Sequence, residues 1–318
     1  MKNTKENAIQ KHSIYDYTGI PEVLLIDRTT KTNIIWGTSN YLRYGFAETD
    51  IIKTNHLGKG KNRTIRPRNS KSQLEQRRRS KDMAEVFTPS WICNIQNNLI
   101  DDEWFGYKNA FNFELDNTWE ATKKVDFNNK NWKDYVDVER IEITCGEAPY
   151  LTSRYDVVSG KYIEPKDRIG LLDRKLRVVS ENVDDKDEWI EQAIIAYKRV
   201  YGYDYQGDNI FLARENLLST FIDYYFDKYT ENPNQDTVFL IATIISWNIW
   251  QMDGIKYVIP DSCYEKKVVQ ISLFDEDEEI KNVCRGCESG DIYQHNGKYV
   301  KIKDWRTNKI VKFIDLLR

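Results

Sequence analysis

Apolar residues recur at helical spacing in the middle of the chain. In EPKDRIGLLDRKLRVVSEN, apolar positions repeat every three or four residues, which predicts an amphipathic helix opened by Pro165. The same spacing predicts two further helices, one from Glu188 to Tyr201 and one over IFLARENLLSTFIDYYF. The positions that define the first helix are Ile169, Leu172, Leu176 and Val179.

Two earlier helices are predicted from start signals and charge. In FTPSWICNIQNNLIDDEWFG, Pro89 suits a first helical position, so a helix begins after Thr88. The charged stretch KSQLEQRRRSKDMAEV predicts a solvated helix. In the helix after Thr88, Trp91, Ile95, Asn98 and Leu99 fall near one face.

Alternating and β-branched runs predict strands between and beyond these helices. VERIEIT (138–144) alternates and runs into a glycine-bearing turn, which is typical of a buried strand that ends at a ligand-binding loop. YGYDYQGDN predicts a short strand and turn, and ISWNIWQ predicts a strand at the end of 235–252. Residues 13–50 and the remainder from Ile259 also predict strands. The pattern indicates an α/β fold.

Composition allows a folded core. With 318 residues, of which 40% are hydrophobic and 13% aromatic, the chain can fill one large domain or two modest ones, which excludes disorder throughout. No run of about 18 apolar residues occurs, and the N-terminal MKNTKENAIQ lacks the apolar stretch of a signal peptide. We therefore expect a cytoplasmic protein with no membrane contact.

Five cysteines at uneven spacing do not form a disulfide framework in a chain of this size, so we expect them to be reduced. Cys284 and Cys287 in CRGC, with Cys263 and His295, are residue types that bind zinc, but the latter two are irregularly spaced. The prediction is reduced cysteines in a turn and no bound metal. Cys145 has no histidine near it in sequence and is predicted to pack.

Basic residues concentrate between Lys53 and Lys81, although the net charge is -3. This segment holds eleven Lys or Arg residues and one acid, Glu75, which favours contacts to the phosphates of double-stranded DNA. Aromatic residues are not interleaved with the cations, so backbone binding is favoured over base reading. The candidate DNA-binding residues are Arg63, Arg66, Arg68, Arg77, Arg78 and Arg79.

Acids fall at the ends of three predicted strands. Glu142 precedes a turn at Gly146, Asp204 ends the next strand, and Asp253 follows the third. A carboxylate at a strand tip can accept both hydroxyls of a ribose, and a glycine turn lets the backbone approach a cofactor. Each acid taken singly could instead cap a helix.

Four fragments in order resemble the S-adenosylmethionine-binding half of the N6-adenine DNA methyltransferases of restriction-modification systems. They are EVFTPSW, IEITCGEAPYL, VYGYDYQGDNIFLARENLL and SWNIWQMDGIK, and together they cover roughly residues 80–255. The resemblance implies a Rossmann-like class I methyltransferase core and S-adenosylmethionine as cofactor. The cofactor-binding residues that it implies are Phe87, Thr88, Pro89, Glu142, Thr144, Gly146, Asp204 and Asp253.

In this resemblance Thr88 faces the methionine carboxylate, Glu142 the ammonium group and Asp204 the ribose hydroxyls. Asp253 accepts a hydrogen bond from the adenine amino group. Asp204 matches the family spacing better than Asp208, which is expected to cap the following helix. Ala148 replaces a glycine of the family pattern, and alanine resists the positive φ that a tight loop needs.

The family motif that holds the target adenine, Asn-Pro-Pro-Tyr, is absent between Asp253 and Arg318. We therefore interpret the chain as the cofactor-binding part of a split modification subunit, inactive alone, whose partner chain supplies this motif and target recognition. The first strand of an incomplete sheet would be an open apolar edge, which a partner would close. One alternative is a complete enzyme that uses Asn248 and Trp250 of NIWQ. Another is a non-catalytic regulator that binds DNA or cofactor.

The predicted organisation has three parts. Residues 1–80 form an N-terminal extension with the basic segment and strands. Residues 81–258 form the Rossmann-like methyltransferase core, with an incomplete sheet in this chain. Residues 259–318 form a small β-rich segment that contacts the partner.

Overall fold

Helices and short strands alternate along the chain. The computed structural model describes residues 13–58, 63–82, 85–86, 88–264, 266–270 and 278–317. Its α-helices are α1 (Ile20–Leu25), α2 (Thr54–Leu57), α3 (Gln73–Asp82), α4 (Ser90–Phe105), α5 (Trp132–Val136), α6 (Leu171–Asn182), α7 (Lys186–Lys198), α8 (Gly207–Tyr229), α9 (Gln235–Asn248) and α10 (Arg285–Ser289). Its strands are β1 (Asn112–Leu115), β2 (Thr118–Ala121), β3 (Arg140–Ile143), β4 (Val200–Asp204), β5 (Ile249–Gln251), β6 (Lys266–Gln270), β7 (Glu278–Asn282), β8 (Lys301–Asp304) and β9 (Lys309–Lys312).

Three parallel strands in the order β3-β4-β5 form the central sheet. Glu142 lies opposite Gly202, and Asp204 lies opposite Gln251, so the carboxyl ends of the strands meet at one side. Within the described residues β3 pairs only with β4 and therefore forms an edge of the sheet. The structure thus confirms a mixed α/β arrangement with a small parallel sheet.

Two predicted strand regions are helical. An apolar run within residues 13–50, Val23 to Leu25, lies in α1, which follows Gly19 at φ +77° and has Pro21 in its first turn. The first four residues of ISWNIWQ end helix α9, and only Ile249–Gln251 is strand. Both runs are short and apolar, and periodicity does not separate a buried strand from a buried helix there. Tertiary packing then overrides β-branched propensity.

The predicted helix after Thr88 is present as α4, with Pro89 as its N-cap. The helix assigned to a start at Pro165 begins later, at Leu171, because Pro165 opens a separate 3-10 turn. The bounds of α6 to α8 otherwise follow the apolar spacing. Sequence periodicity therefore located the long helices better than the strands.

The two faces of the sheet are covered differently. Helices α6 to α9 pack on one face in a core that also takes up N-terminal side chains such as Trp36 and Leu24. The C-terminal segment packs on the other face, where Ile302 of β8 and Phe313 meet Tyr203 and Trp250. The strands predicted in YVKIKDW and KIVKFIDLL are present as β8 and β9.

A buried arginine fixes α4 against α6. The Arg174 guanidinium is fully buried, pairs with Asp101 at 2.5 Å and donates to Asn94 and Asn98 at 2.9 and 2.6 Å. Asn97, on the same helix, donates to the carbonyl of Tyr150 at 3.1 Å. These contacts position the start of α4 beside the loop that follows β3. Of the helices described, none combines the length and apolar character needed to cross a membrane.

Candidate functional site

A cleft of about 380 Å³ opens at the carboxyl ends of β3 and β4. It lies where the strand-to-helix loops meet, which is the usual place for a ligand in an open α/β sheet. The predicted cofactor residues that line it are Thr88, Glu142, Thr144, Gly146 and Asp204. Residues separated by more than 100 positions in sequence therefore share one cavity.

The loop after β3 adopts a strained backbone. Thr144, Gly146 and Ala148 have φ values of +49°, +53° and +62°. Ala148 is fully buried and takes up the left-handed conformation that alanine resists, at a cost of about 1–2 kcal/mol. Thr144 and Ala148 are non-glycine residues with a left-handed backbone, and surrounding contacts have to offset the strain of that conformation. Backbone strain of this kind is concentrated at functional sites.

Two carboxylates supply those contacts. Glu142 accepts hydrogen bonds from the backbone N–H groups of Tyr150 and Leu151 at 3.3 and 3.1 Å. Asp204 accepts hydrogen bonds from the N–H groups of Gly146 and Gln206 at 2.9 and 2.8 Å. Both acids therefore anchor the loops around the cleft, and their oxygens keep further acceptor capacity.

Neither carboxylate is neutralised by a cation. Burial raises the pKa of Glu142 to about 8, against the lowering effect of its two backbone donors, and the charge on Asp204 adds to the rise. Burial also raises the pKa of Asp204 to about 6 despite its two backbone donors. Among the described residues no Lys or Arg pairs with either acid. A cationic ligand beside these acids would favour their ionised forms.

Several lining residues were not predicted from the sequence. Tyr205 follows Asp204 and is 37% exposed, so its ring is available beside the cleft. Tyr150, Gln206 and Asn209 also line it. An aromatic residue directly after a strand-end acid was the available signal for Tyr205. The polar residues depend on tertiary contacts and carry no such signal.

A buried ionic network closes one side of the cleft. Asp208 is fully buried and accepts hydrogen bonds from Arg79 at 2.7 Å and from the Tyr41 hydroxyl at 2.8 Å. Arg79 also binds the lining residue Glu85 and donates to Gln206 at 3.0 Å. Burial opposes ionisation of Asp208, but the charge of Arg79 outweighs it and lowers the pKa to about 2. Asp208 is thus chiefly an ion-pair partner rather than the expected helix cap.

The six candidate DNA-binding arginines have different surroundings. The Arg79 side chain is buried in this network, and Arg63 binds Glu215 through two hydrogen bonds of 3.0 and 2.5 Å. Arg66 lies 3.5 Å from Glu75, and Arg68 donates to the carbonyl of Glu85 at 3.3 Å. Arg77 and Arg78 are exposed. These two are the members of the set best placed to meet a phosphate.

Two of the predicted cofactor positions, Pro89 and Asp253, do not line the cleft. Phe87 lies outside the described residues. Pro89 caps α4 next to the lining residue Thr88. The Asp253 carboxylate accepts the N–H groups of Ile255 and Lys256 at 3.0 and 3.1 Å, so it closes a turn after β5.

The alternative base-site residues Asn248 and Trp250 are buried away from the cleft. The Asn248 amide donates to the carbonyls of Tyr197 and Val200 at 2.9 and 3.0 Å and accepts from the Trp305 indole at 2.7 Å. All its groups are therefore engaged in joining α9 to α7 and β4. Trp250 packs on the opposite sheet face.

A second cluster of reactive side chains lies in the C-terminal segment. The side-chain ligand atoms of Cys263, Cys284, Cys287 and His295 all lie within 4.8 Å of one another. Their irregular spacing in sequence therefore does not separate them in space. None of the described cysteines forms a disulfide bond in the structure.

Comparisons with models of protein families, with curated proteins and with solved structures found no match to this chain. Any assignment of function therefore depends on the chemistry of the cleft itself.

Replacing Glu142 by Gln tests the electrostatics of the cleft. A carboxyl whose folded-state pKa is raised stabilises the fold at low pH, and this contribution is lost as pH rises through about 8. Between pH 6 and 8 the wild-type free energy of unfolding should therefore fall with pH more steeply than that of Glu142→Gln, by up to about 1.4 kcal/mol per pH unit. Denaturant melts at several pH values measure both slopes.

The matched control is Glu120→Gln, which changes an exposed glutamate on β2. Its pH slope should equal that of the wild type. Equal slopes for Glu142→Gln and wild type would contradict a raised pKa at Glu142.

Proposed function

We propose that this chain binds S-adenosylmethionine in the cleft and serves as the cofactor-binding subunit of a DNA adenine-N6 methyltransferase. The observation that carries the proposal is the convergence of Thr88, Glu142, Gly146 and Asp204 at the ends of β3 and β4. The two buried acids without cationic partners add a preference for a ligand with positive charge. S-adenosylmethionine carries an ammonium and a sulfonium group.

The lining residues offer a partner for each part of the cofactor. Glu142 would accept the ammonium group, and Asp204 would accept the ribose hydroxyls. Thr88 stands before α4, where the helix dipole favours the methionine carboxylate, although Asp156 already accepts the N–H of Ser90 at 2.7 Å. Tyr205 offers an aromatic surface for the adenine ring. When bound, the cofactor supplies an electrophilic methyl group.

Methyl transfer to adenine needs further groups. The lone pair of the adenine amino group is delocalised into the ring, so hydrogen-bond acceptors must localise it while the flipped base is stacked. The buried, fully bonded Asn248 does not offer them. We assign this role to a second chain that carries an Asn-Pro-Pro-Tyr motif.

The edge of β3 is the surface that suits such a partner. The β3 side chains of Ile141 and Ile143 are 46% and 62% exposed. Apolar side chains exposed together in this way often mark a surface that contacts another protein. A partner strand added at β3 would pair its free backbone groups and cover these side chains. The cofactor cleft borders the same strand, so the partner's base-binding groups would lie close to the methyl donor.

DNA would be held next to the cleft by the basic helix α3. Arg79 attaches this helix to the lining residues Glu85 and Gln206 from the inside. Arg77 and Arg78, which precede Arg79, remain exposed to solvent. The internal ion pair therefore orients the exposed arginines toward a phosphate backbone beside the site.

Calorimetry with S-adenosylmethionine tests the cleft. Asp204→Asn removes a charge-assisted acceptor for the ribose and should weaken binding by about 10- to 100-fold. The control Asp116→Asn, an exposed change in the β1–β2 turn, should leave the affinity unchanged. Absence of binding by the wild type, or equal affinity of Asp204→Asn in a folded protein, would contradict the cofactor assignment.

Salt-dependent anisotropy on duplex DNA tests the basic helix. Replacing Arg77 and Arg78 together by Ala should weaken binding and lower the slope of log K against log salt by about 2, one for each phosphate contact. Binding of S-adenosylmethionine should be unaffected. Replacing the exposed pair Lys123 and Lys124 by Ala is the matched control, and a slope change as large as that of the arginine pair would refute a localised DNA surface.

Transfer of labelled methyl groups tests the need for a partner. The chain alone is expected to bind cofactor without methylating DNA, and addition of a co-encoded chain with an Asn-Pro-Pro-Tyr motif should produce N6-methyladenine. Ile141→Asp should weaken this complex and leave cofactor binding intact. Methylation by the chain alone, lost in Asn248→Ala, would favour a complete enzyme, whereas DNA binding without methylation in either mixture would favour a regulator.

A further inference from the structure

Three sulfurs surround one imidazole nitrogen in the C-terminal segment. The Nδ1 atom of His295 lies 3.6 Å from the Sγ of Cys263, 3.6 Å from that of Cys284 and 3.7 Å from that of Cys287. In a tetrahedral zinc site with Zn–S near 2.3 Å and Zn–N near 2.0–2.1 Å, the S···N edge measures about 3.6 Å. The three observed N···S distances thus match the N···S edges of such a tetrahedron.

The chain topology explains how distant cysteines meet. Strands β6 and β7 pair in antiparallel register with Lys266 opposite Asn282, so the residues that flank this hairpin are neighbours in space. Cys263 precedes the hairpin and Cys284 follows it. Cys287 then lies one turn further along, where its N–H donates to the carbonyl of Cys284 at 2.9 Å. The inserted hairpin makes the ligand spacing irregular without disturbing the site.

Two glycines allow the close approach of the ligands. A Cβ on Gly286, inside CRGC, would lie 2.6 Å from Nδ1 of His295, and a Cβ on Gly297 would lie 2.9 Å from Sγ of Cys263. Neither distance is compatible with a side chain. Both positions therefore have to be glycine if the two loops are to bring their sulfur and nitrogen atoms together.

Backbone and side-chain hydrogen bonds hold the ligands from outside. The N–H of Asn296 donates to Sγ of Cys284 at 3.3 Å, which favours the thiolate form that binds metal. The Asn296 amide also bonds both backbone groups of Tyr264, next to Cys263. The Tyr299 hydroxyl accepts a hydrogen bond from the backbone N–H of His295 at 2.9 Å. Second-layer contacts of this kind are common around metal ligands.

We propose that Cys263, Cys284, Cys287 and His295 bind one Zn²⁺ ion in a tetrahedral Cys3His site. Four protein ligands leave no open position, which makes the ion structural rather than catalytic. This proposal departs from the sequence-based prediction of no bound metal. It concerns residues outside the cofactor cleft and does not depend on the proposed methyltransferase role.

The ion would fasten the C-terminal segment to the sheet. Val258, which pairs with Asp253 after β5, also pairs with Tyr299, close to His295. Val300 and Ile302 continue from there into the buried cluster against Trp250. Loss of zinc should therefore loosen the layer that covers the second face of the sheet and leave the helical core in place.

Metal analysis of the full chain tests the site. Protein purified without chelators is expected to contain about one zinc ion per chain. Cobalt should replace it and give the intense ligand-field and thiolate charge-transfer absorption of a tetrahedral site. Cys284→Ser and His295→Ala should each lower retained zinc at least tenfold against a competing chelator, whereas Cys93→Ser, which changes a buried cysteine outside the cluster, should retain it.

The cobalt spectrum of the unaltered chain keeps the test decisive if a ligand variant fails to fold. Failure to retain zinc together with a weak octahedral cobalt spectrum would overturn the proposal. Iron in place of zinc, or the mass loss of two hydrogens that reports a disulfide within the cluster, would also overturn it.

Discussion

The buried carboxylates of Glu142 and Asp204 set the form of the cleft. They accept four backbone N–H groups from the loops after β3 and β4, including that of Gly146, which lies in the left-handed region with Thr144 and Ala148. Without these acceptors the loop would lose the contacts that offset its strain. The same burial raises the pKa of both acids. The arrangement of the two loops and the raised pKa values therefore depend on the same two buried carboxylates.

Two other buried acids of the fold are paired with arginines. Asp208 and Arg79 are paired, as are Arg174 and Asp101, and each pair is buried with additional hydrogen bonds. Removing one partner of such a pair typically costs about 3–5 kcal/mol, because the other charge remains buried. Glu142 and Asp204 have no such partner among the described residues, and neither does Glu147, a third buried acid that lines the cleft. A cationic ligand in the cleft would favour the ionised forms of Glu142 and Asp204.

Local patterns in the sequence were sufficient for the central strands and the long helices. The acids at the ends of β3 and β4 follow from alternation into a turn, and the start of α4 follows from Pro89. The short apolar runs within α1 and at the end of α9 carried no such distinction. Their helical state depends on burial against other elements, which periodicity in a short window does not encode.

The remaining features of the site arise from long-range contacts. The internal role of Arg79 requires Asp208, which is 129 residues away in sequence. The loop that contains Ala148 is joined to the next strand by the hydrogen bond from the Gly146 N–H to Asp204, 58 residues away in sequence. The cluster around His295 depends on the pairing of β6 with β7, which brings Cys263 and Cys284 together. In each case the residue types were visible in the sequence, and the spatial relation that gives them a role was not.

The most direct measurement is a crystal structure of the chain with S-adenosylhomocysteine. If the cofactor binds in the cleft, ligand density is expected there, with the ribose hydroxyls within hydrogen-bond distance of Asp204 and the amino group beside Glu142. Ligand density at another site would contradict cofactor binding in this cleft. An empty cleft at saturating ligand, in crystals whose packing leaves the cleft accessible, would contradict it as well.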